Sequence, residues 1–320
     1  PISGPRTGKF LPTEAPRNYP WSQLGADDKD FVLRRDTDPH AHSLLPHIAD
    51  PAVFSGCLAH LATNKAPGPD GIPNELLRAL PDSIKTITHQ LMTVMWFKPD
   101  TVAWTGSDTV LIPKSPTEIK NKRPIALANT LYKLWTSLIT ACTAAHSPAA
   151  RLFSDGQEAY RAQKNTERMI HGLLNAISDA ALTQQDLFVT YIDFSSAFNT
   201  IDHDCLLRVM YDMGLPLDLI EVVRNLYSTA RTSIRTEHGR TPDIPIERGT
   251  VQGDTLSPIL FIIFIEPLLR WLHHGGRGYR FGCLSAQAND RHNLSSGCYA
   301  DDIAVCTNTI SDMRIQAEKI

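Results

Sequence analysis

Tyr299-Ala300-Asp301-Asp302 interrupts two apolar tracts, Gly297-Cys298 before it and Ile303-Ala304-Val305-Cys306 after it. A short polar break between such tracts folds most simply as a β-hairpin with acids at its tip. Neighbours on a regular strand point to opposite faces, so two adjacent aspartates can serve one site only where a tight turn presents them together. Two carboxylates about 5 Å apart repel by roughly 3 kcal/mol at an effective dielectric near 20. Solvent disperses that repulsion in an exposed turn, whereas a desolvated site needs Mg²⁺ or a proton to offset it. The tetrapeptide alone leaves both readings open.

Length and composition narrow the setting. The chain has 320 residues, 42% hydrophobic and 20% charged, enough to bury a large core, and one long domain with subdomains is expected. The best apolar run, Ile259 to Ile265, is too short to span a bilayer, and no signal segment opens the chain. An intracellular protein with no membrane partner is expected. Six scattered cysteines without a CxxC pair argue against a zinc ribbon and a disulfide framework. His40, His42 and His47 lack acidic or cysteine partners at ligand spacing and are not read as a metal site.

The net charge of −3 hides a regional split. Residues 60–170 carry 13 basic and 9 acidic groups, and residues 171–320 carry 12 and 18. An acidic region that concentrates cations beside a basic one that could meet phosphates suits phosphoryl transfer.

Along the chain, the first 49 residues read as an extension or linker, rich in Pro, Asp and His. A helix is expected from Asp50 through Leu61, then a stiff loop at Lys65-Ala-Pro-Gly-Pro-Asp-Gly-Ile-Pro73, with Asn74 capping the next helix. Thr109 to Lys114 and Asn121 to Leu127 read as paired strands across a basic loop carrying Lys114, Lys120, Lys122 and Arg123. That loop reads either as a polyphosphate clamp or as a solvated hairpin. Helical patterns follow near Leu131–Ala141 and Thr166–Ala181. Leu187 to Asp193 reads as an apolar strand ending in one carboxylate, after which Phe194-Ser-Ser-Ala197-Phe198 turns towards a helix near Asp204. Gly249 and Gly253 punctuate a loop that leads into an apolar helix, with Ser257 as its expected cap and Pro258 in its first turn. These glycines would let the backbone approach a ligand closely.

Asp193 with Ala197-Phe198, Arg248-Gly-Thr-Val-Gln252-Gly253-Asp-Thr-Leu-Ser-Pro258, and Tyr299-Ala-Asp301-Asp302 stand in order along the chain. Together with Lys65-Ala-Pro-Gly-Pro-Asp-Gly-Ile and Leu111-Ile-Pro-Lys114 with Arg123-Pro-Ile, they resemble the reverse transcriptases of non-LTR (LINE-type) retrotransposons. The resemblance covers roughly residues 50 to 310. It implies an α+β right-hand polymerase: helical and β-hairpin fingers over 50–170 and an RRM-like antiparallel palm sheet packed on helices over 171–320. The chain opens without methionine and stops in a helical pattern, so a fragment lacking the thumb, with a weak grip on primer and template, is expected.

The resemblance also implies roles. Asp193, Asp301 and Asp302 would be catalytic and, with Phe194, form the metal site for two Mg²⁺ ions, Mn²⁺ being an alternative. Lys114 and Arg123 would clamp the triphosphate, and Phe194, Ala197, Gln252 and Gly253 would line the dNTP site. Phe198 stands at the steric-gate position that disfavours a 2′-hydroxyl, and Tyr299 and Ala300 would meet the primer end. Departures from the family pattern fall at Glu158-Ala-Tyr160-Arg161, where a Gly-Phe-Arg turn is usual, and at Ser196, Asn199 and Val251. Arg161 is expected to meet a phosphate or an acid.

The implied activity is RNA-directed DNA synthesis from a primer 3′-hydroxyl, within retrotransposition by target-primed reverse transcription. Its partners would be an RNA template, a DNA primer or nicked target DNA, and dNTPs, with the oligomeric state open. The implied location is the nucleus at target DNA, with a cytoplasmic ribonucleoprotein stage. Two other readings stand beside it: a catalytically silent RNA-binding or assembly module, disfavoured by the three intact aspartates, and an RNA-dependent RNA polymerase, disfavoured by Phe198.

Overall fold

Asp50 and Pro51 set the first long helix, Pro51–His60: the aspartate side chain accepts from the Ala52 N–H, and proline fills the first helical turn, where an amide would have no partner. In the computed structural model of the chain, residues 15–34, 38–99, 104–113, 122–146, 152–282 and 292–320 are described. They divide into two units whose segments interleave: residues 1–18, 36–150 and 198–260 form one, and residues 19–35, 151–197 and 261–320 the other. Residues 198–260 thus cluster with earlier segments, where consecutive blocks of 50–170 and 171–320 had been expected.

The first unit is built on a five-stranded sheet. Gly106–Pro113 and Lys122–Ala128 pair antiparallel, as the sequence led us to expect, with Val110 opposite Ile125. Arg231–Thr236 joins the other edge of Gly106–Pro113 in parallel, and Gly239–Arg240 and Ile244–Pro245 pair with it. Asp108 is buried at the middle of this sheet, and its carboxylate takes Arg235 Nη2 and Arg240 Nη2, each at 2.6 Å. The helices Asp82–Phe97 and Thr130–Ala145 bring Trp96 and Trp135 together edge to face at 6.1 Å. The Lys65–Pro73 loop is structural: Asp70 accepts from the Thr130 N–H at 3.2 Å and so caps the Thr130–Ala145 helix from a distance in sequence. Asn74 is not a cap. It lies inside the helix Asn74–Arg78, buried, with its amide donated to the Ala62 carbonyl at 2.7 Å, because Pro73 already holds the capping position.

The second unit contains an antiparallel three-stranded sheet with Asp302–Thr307 in the centre, flanked by Phe188–Ile192 and Ser296–Tyr299. Ile303 to Thr307 are all buried, as expected of a strand covered on both faces. Cys306 and Val189 pack against Ala176 and Ala180 of the helix Thr166–Thr183, with Tyr279 completing that cluster. On the opposite face Thr190 touches Met313 of the helix Ile310–Glu318.

The helix Leu256–His273 has a mean hydropathy of 1.5 over 18 residues, so by length and composition it could cross a membrane. The short run from Ile259 to Ile265 hid this, because Leu268, Leu269 and Leu272 extend the apolar pattern past Glu266 and Pro267. With 78% of it buried, it has the character of a core helix.

Candidate active site

The acid turn lies in the second unit. Tyr299 pairs with Asp302, leaving Ala300 and Asp301 as a two-residue hairpin turn. Ala300 has φ +57, and a positive φ at the first central position is the sign pattern of a type II′ turn, which suits strand twist but favours glycine. On the other side of the central strand Ile192 pairs with Ile303, so Asp193, the next residue, falls opposite Asp302 where the ladder ends. The topology therefore brings Asp193, Asp301 and Asp302 to one end of one sheet.

Asp193 and Asp302 are exposed and Asp301 is half-buried. Among the described residues none of the three carboxylates has a side-chain hydrogen bond or ion pair. Nor do any three His, Cys, Asp or Glu side chains among them stand ready grouped around a metal position. The backbone thus aligns the acids without gathering their side chains. As a donor set, three anionic oxygen ligands without a protein cation fit a hard divalent ion such as Mg²⁺.

The support beneath this turn escaped the sequence reading. Gln157 is fully buried and bridges to Cys298 as an added edge of the sheet. Its Oε1 accepts from the Ala159 N–H at 3.0 Å and the Ala300 N–H at 3.3 Å, and its Nε2 donates to Cys298 Sγ at 3.3 Å. Arg161, expected to meet a phosphate or an acid, instead donates from Nη1 to the Ser154 and Gln157 carbonyls at 2.7 and 3.0 Å and lies over Phe153. The acid in this turn, Glu158, is taken by Lys164 and Arg168, each at 3.2 Å. Polar residues in a loop give no periodic signal, so local pattern did not point to this role.

The glycine loop lies in the first unit. The Gly249 N–H donates to the Ile201 carbonyl and the Thr250 N–H to the Phe198 carbonyl, each at 2.8 Å. Gly249 has φ +79, and a Cβ there would stand 2.6 Å from the Asn199 backbone. The Ala126 N–H donates to the Gln252 carbonyl at 2.8 Å, and Gly253, at φ +104, passes under the Ala126 carbonyl, 3.1 Å from where a Cβ would be. Both glycines therefore answer a close approach of the protein's own backbone. Gln252 Nε2 donates to Asn199 Oδ1 at 3.0 Å, and Phe198 is half-buried beside this network. Ser257 is not a helix cap: it is the second residue of Leu256–His273, and its hydroxyl donates to the Val251 carbonyl at 2.7 Å.

Directly after the loop, Asp254 is buried, accepting from the Thr136 hydroxyl and the Thr255 N–H. Burial pushes its carboxyl up to about 7 against the opposing pull of these donors and Lys133. Arg123 is exposed, opposite Ile112 on the hairpin, and Lys114 lies outside the described residues. Of the expected site residues, Asp193, Phe194, Ala197, Tyr299, Ala300, Asp301 and Asp302 belong to the second unit, and Arg123, Phe198, Gln252 and Gly253 to the first.

Residues 112–320 match the family model described as reverse transcriptase (RNA-dependent DNA polymerase). The Pol polyprotein of the type-1 retrotransposable element R2 of Bradysia coprophila is 23% identical, covering 90% of this chain and 31% of that protein. The probable RNA-directed DNA polymerase from transposon BS of Drosophila melanogaster is 26% identical over 77% of this chain and 26% of its own length. The RNA-directed DNA polymerase from the mobile element jockey of Drosophila funebris is 25% identical over 82% and 28%. The chain spans less than a third of each of these relatives. Its mixed helix and sheet content agrees with a reverse transcriptase domain, and such domains generally use divalent metals such as Mg²⁺. On these matches, and on motifs that run in the family's order, the chain belongs to the reverse transcriptase family in its non-LTR, LINE-type branch.

Proposed function

We propose that this chain carries the polymerase centre of an RNA-directed DNA polymerase, which extends a DNA primer on an RNA template by two-metal phosphoryl transfer. The observation that carries the reading is the alignment of Asp193, Asp301 and Asp302 at one end of the second unit's sheet, without side-chain partners among the described residues. Residues 50–170 would serve as the fingers and residues 171–320 as the palm. Asp193 and Asp301, with Asp302 as a supporting charge and Phe194 beside them, would hold the cations. Bound Mg²⁺ supplies activation of the primer 3′-hydroxyl and neutralises charge on the departing pyrophosphate.

The other residues act on substrate directly. Arg123, exposed on its strand, would meet the triphosphate, as would Lys114. Phe198, with Ala197 beside it, would stand under the incoming sugar and exclude a 2′-hydroxyl. Gln252 and Gly253 would lie along the incoming nucleotide, held by the Asn199 and Ala126 bonds. Tyr299 and Ala300 would meet the primer end. The biological setting that fits is target-primed reverse transcription at nicked nuclear DNA after a cytoplasmic ribonucleoprotein stage.

Primer extension on an RNA template tests the reading. Mg²⁺-dependent incorporation of dNTPs is expected, and Phe198→Ala should admit rNTPs about tenfold or more better than the parent. Incorporation of rNTPs by the parent as efficient as that of dNTPs would favour an RNA polymerase instead.

A further inference from the structure

Tyr160 combines two features that packing does not account for: its backbone sits at φ +54, and its side chain is half-exposed. A bulky residue at positive φ is uncommon and persists only where the surroundings over-determine it. Here they do. The Glu158 N–H donates to the Cys298 carbonyl at 2.9 Å, the Ala159 N–H to Gln157 Oε1, and Arg161 locks the turn from the following position. The same Gln157 oxygen accepts from the Ala300 N–H. One buried carboxamide therefore positions both the turn that displays Tyr160 and the turn that carries Asp301. The ring of Tyr160 consequently comes to 6.4 Å from that of Tyr299, tilted by 40°, and lies within electrostatic reach of Asp301.

An aromatic ring held half in solvent at a strained backbone position, beside a second tyrosine and near the Asp301 carboxylate, gains little from burial. About half of the residue is left open to solvent and to contact with something else. We propose that Tyr160 and Tyr299 together form a platform on which the 3′-terminal nucleotide of the primer stacks, with Gln157 as the positioning residue for both rings. The proposal rests on the polymerase reading given above. Stacking on aromatic rings is tolerant of sequence because every base has a π-face, which suits a primer end whose base changes at each addition. Burial, then Tyr299 and Asp301, hold the Tyr160 phenol above its ordinary pKa, so the ring stays neutral and adds no charge beside the primer's phosphates.

The test uses the 320-residue protein with a primer ending in 2-aminopurine, annealed to an RNA template, with fluorescence read without dNTPs and primer extension run separately. The parent should quench the fluorophore. Tyr160→Ala should lose most of that quenching, with Kd and the KM for primer–template raised about tenfold and kcat within about threefold of the parent. Tyr160→Phe should retain quenching and affinity. Tyr160→Gly removes the ring while relieving the backbone, so loss of quenching in that variant, with an unchanged melting curve, excludes misfolding as the cause. Parent-like quenching in Tyr160→Ala and Tyr160→Gly, or equal losses in Tyr160→Phe and Tyr160→Ala, would overturn the platform. A parent that quenches in a Tyr160-dependent way but never extends the primer would overturn the polymerase reading and leave the stacking site standing.

Discussion

The glycine loop at 249–253 and the acid turn at 300–301 are both short and both rest on positive backbone φ, yet their polar groups are treated in opposite ways. In the loop, the Gly249 and Thr250 amides and the Gln252 carbonyl bond to the main chain, and the Gln252 amide bonds to Asn199. In the turn the backbone is anchored through Ala300, while the flanking carboxylates are left without partners among the described residues. A loop satisfied from within is completed by folding. A turn left with unpaired charge is completed by what binds to it, so changes at Gly249 and Thr250 should register chiefly as stability and changes at Asp301 as activity.

The sharpest test of that contrast is Asp301→Asn. Extension is expected to fall by about a thousandfold or more, as for loss of a group acting on transition-state charge, with a melting temperature equal to or above the parent's because a like-charge neighbour is neutralised. Activity close to the parent's in primer-extension assays would break the contrast and the assignment together. Gly249→Ala probes the other side. Its Cβ would meet the Asn199 backbone from a residue at φ +79, so denaturant unfolding should show a loss of about 2–4 kcal/mol, and an unchanged midpoint would mean the loop is looser than described.

Acid–base behaviour refines the same comparison through Asp254. Its carboxyl is raised by burial to about 7, so the native state retains a proton that the unfolded chain, near 4, has released. Stability should therefore be full below about pH 4 as far as this group is concerned, fall as pH rises towards 7, and level off above it, by on the order of 4 kcal/mol. Glu266 in the second unit, also buried and raised to about 7 despite Arg270 at 3.2 Å, adds a dependence of the same sign. Asp254→Asn should remove only its own share in urea melts run from pH 4 to 8, and an unaltered pH profile would refute the protonated reading. The smallest effect is expected for Ala300→Gly, which relieves φ +57 and should stabilise the fold by about 1 kcal/mol or less. A destabilised variant would show that Ala300 is not strained.

Local pattern carried the sequence reading a considerable way. The apolar runs from Thr109 and up to Leu127 announced most of the Gly106–Pro113 and Lys122–Ala128 hairpin, and the apolar tracts around Asp193 and Asp301 announced the strands that present them. What local pattern could not reveal was pairing across long stretches of chain. The parallel addition of Arg231–Thr236 to Gly106–Pro113, and with it the burial of Asp108 between Arg235 and Arg240, depends on contacts more than a hundred residues apart. Asn74 and Ser257 have residue types that favour caps, but each found a stronger partner in a nearby carbonyl. Gln157 was hidden for the reverse reason: it is a buried polar residue whose value lies in bonds made to two turns at once.

The single bond from the Ala126 N–H to the Gln252 carbonyl has a mechanical consequence. Arg123 precedes Ala126 by three residues on the same strand, about 10 Å along it at strand rise. Whatever grips that guanidinium also loads, through a stiff extended segment and one main-chain link, the loop bearing Gln252. The arm bearing Arg123 and the loop beyond it are coupled in series, so tension on one end is felt at the other without any rearrangement of the core between them.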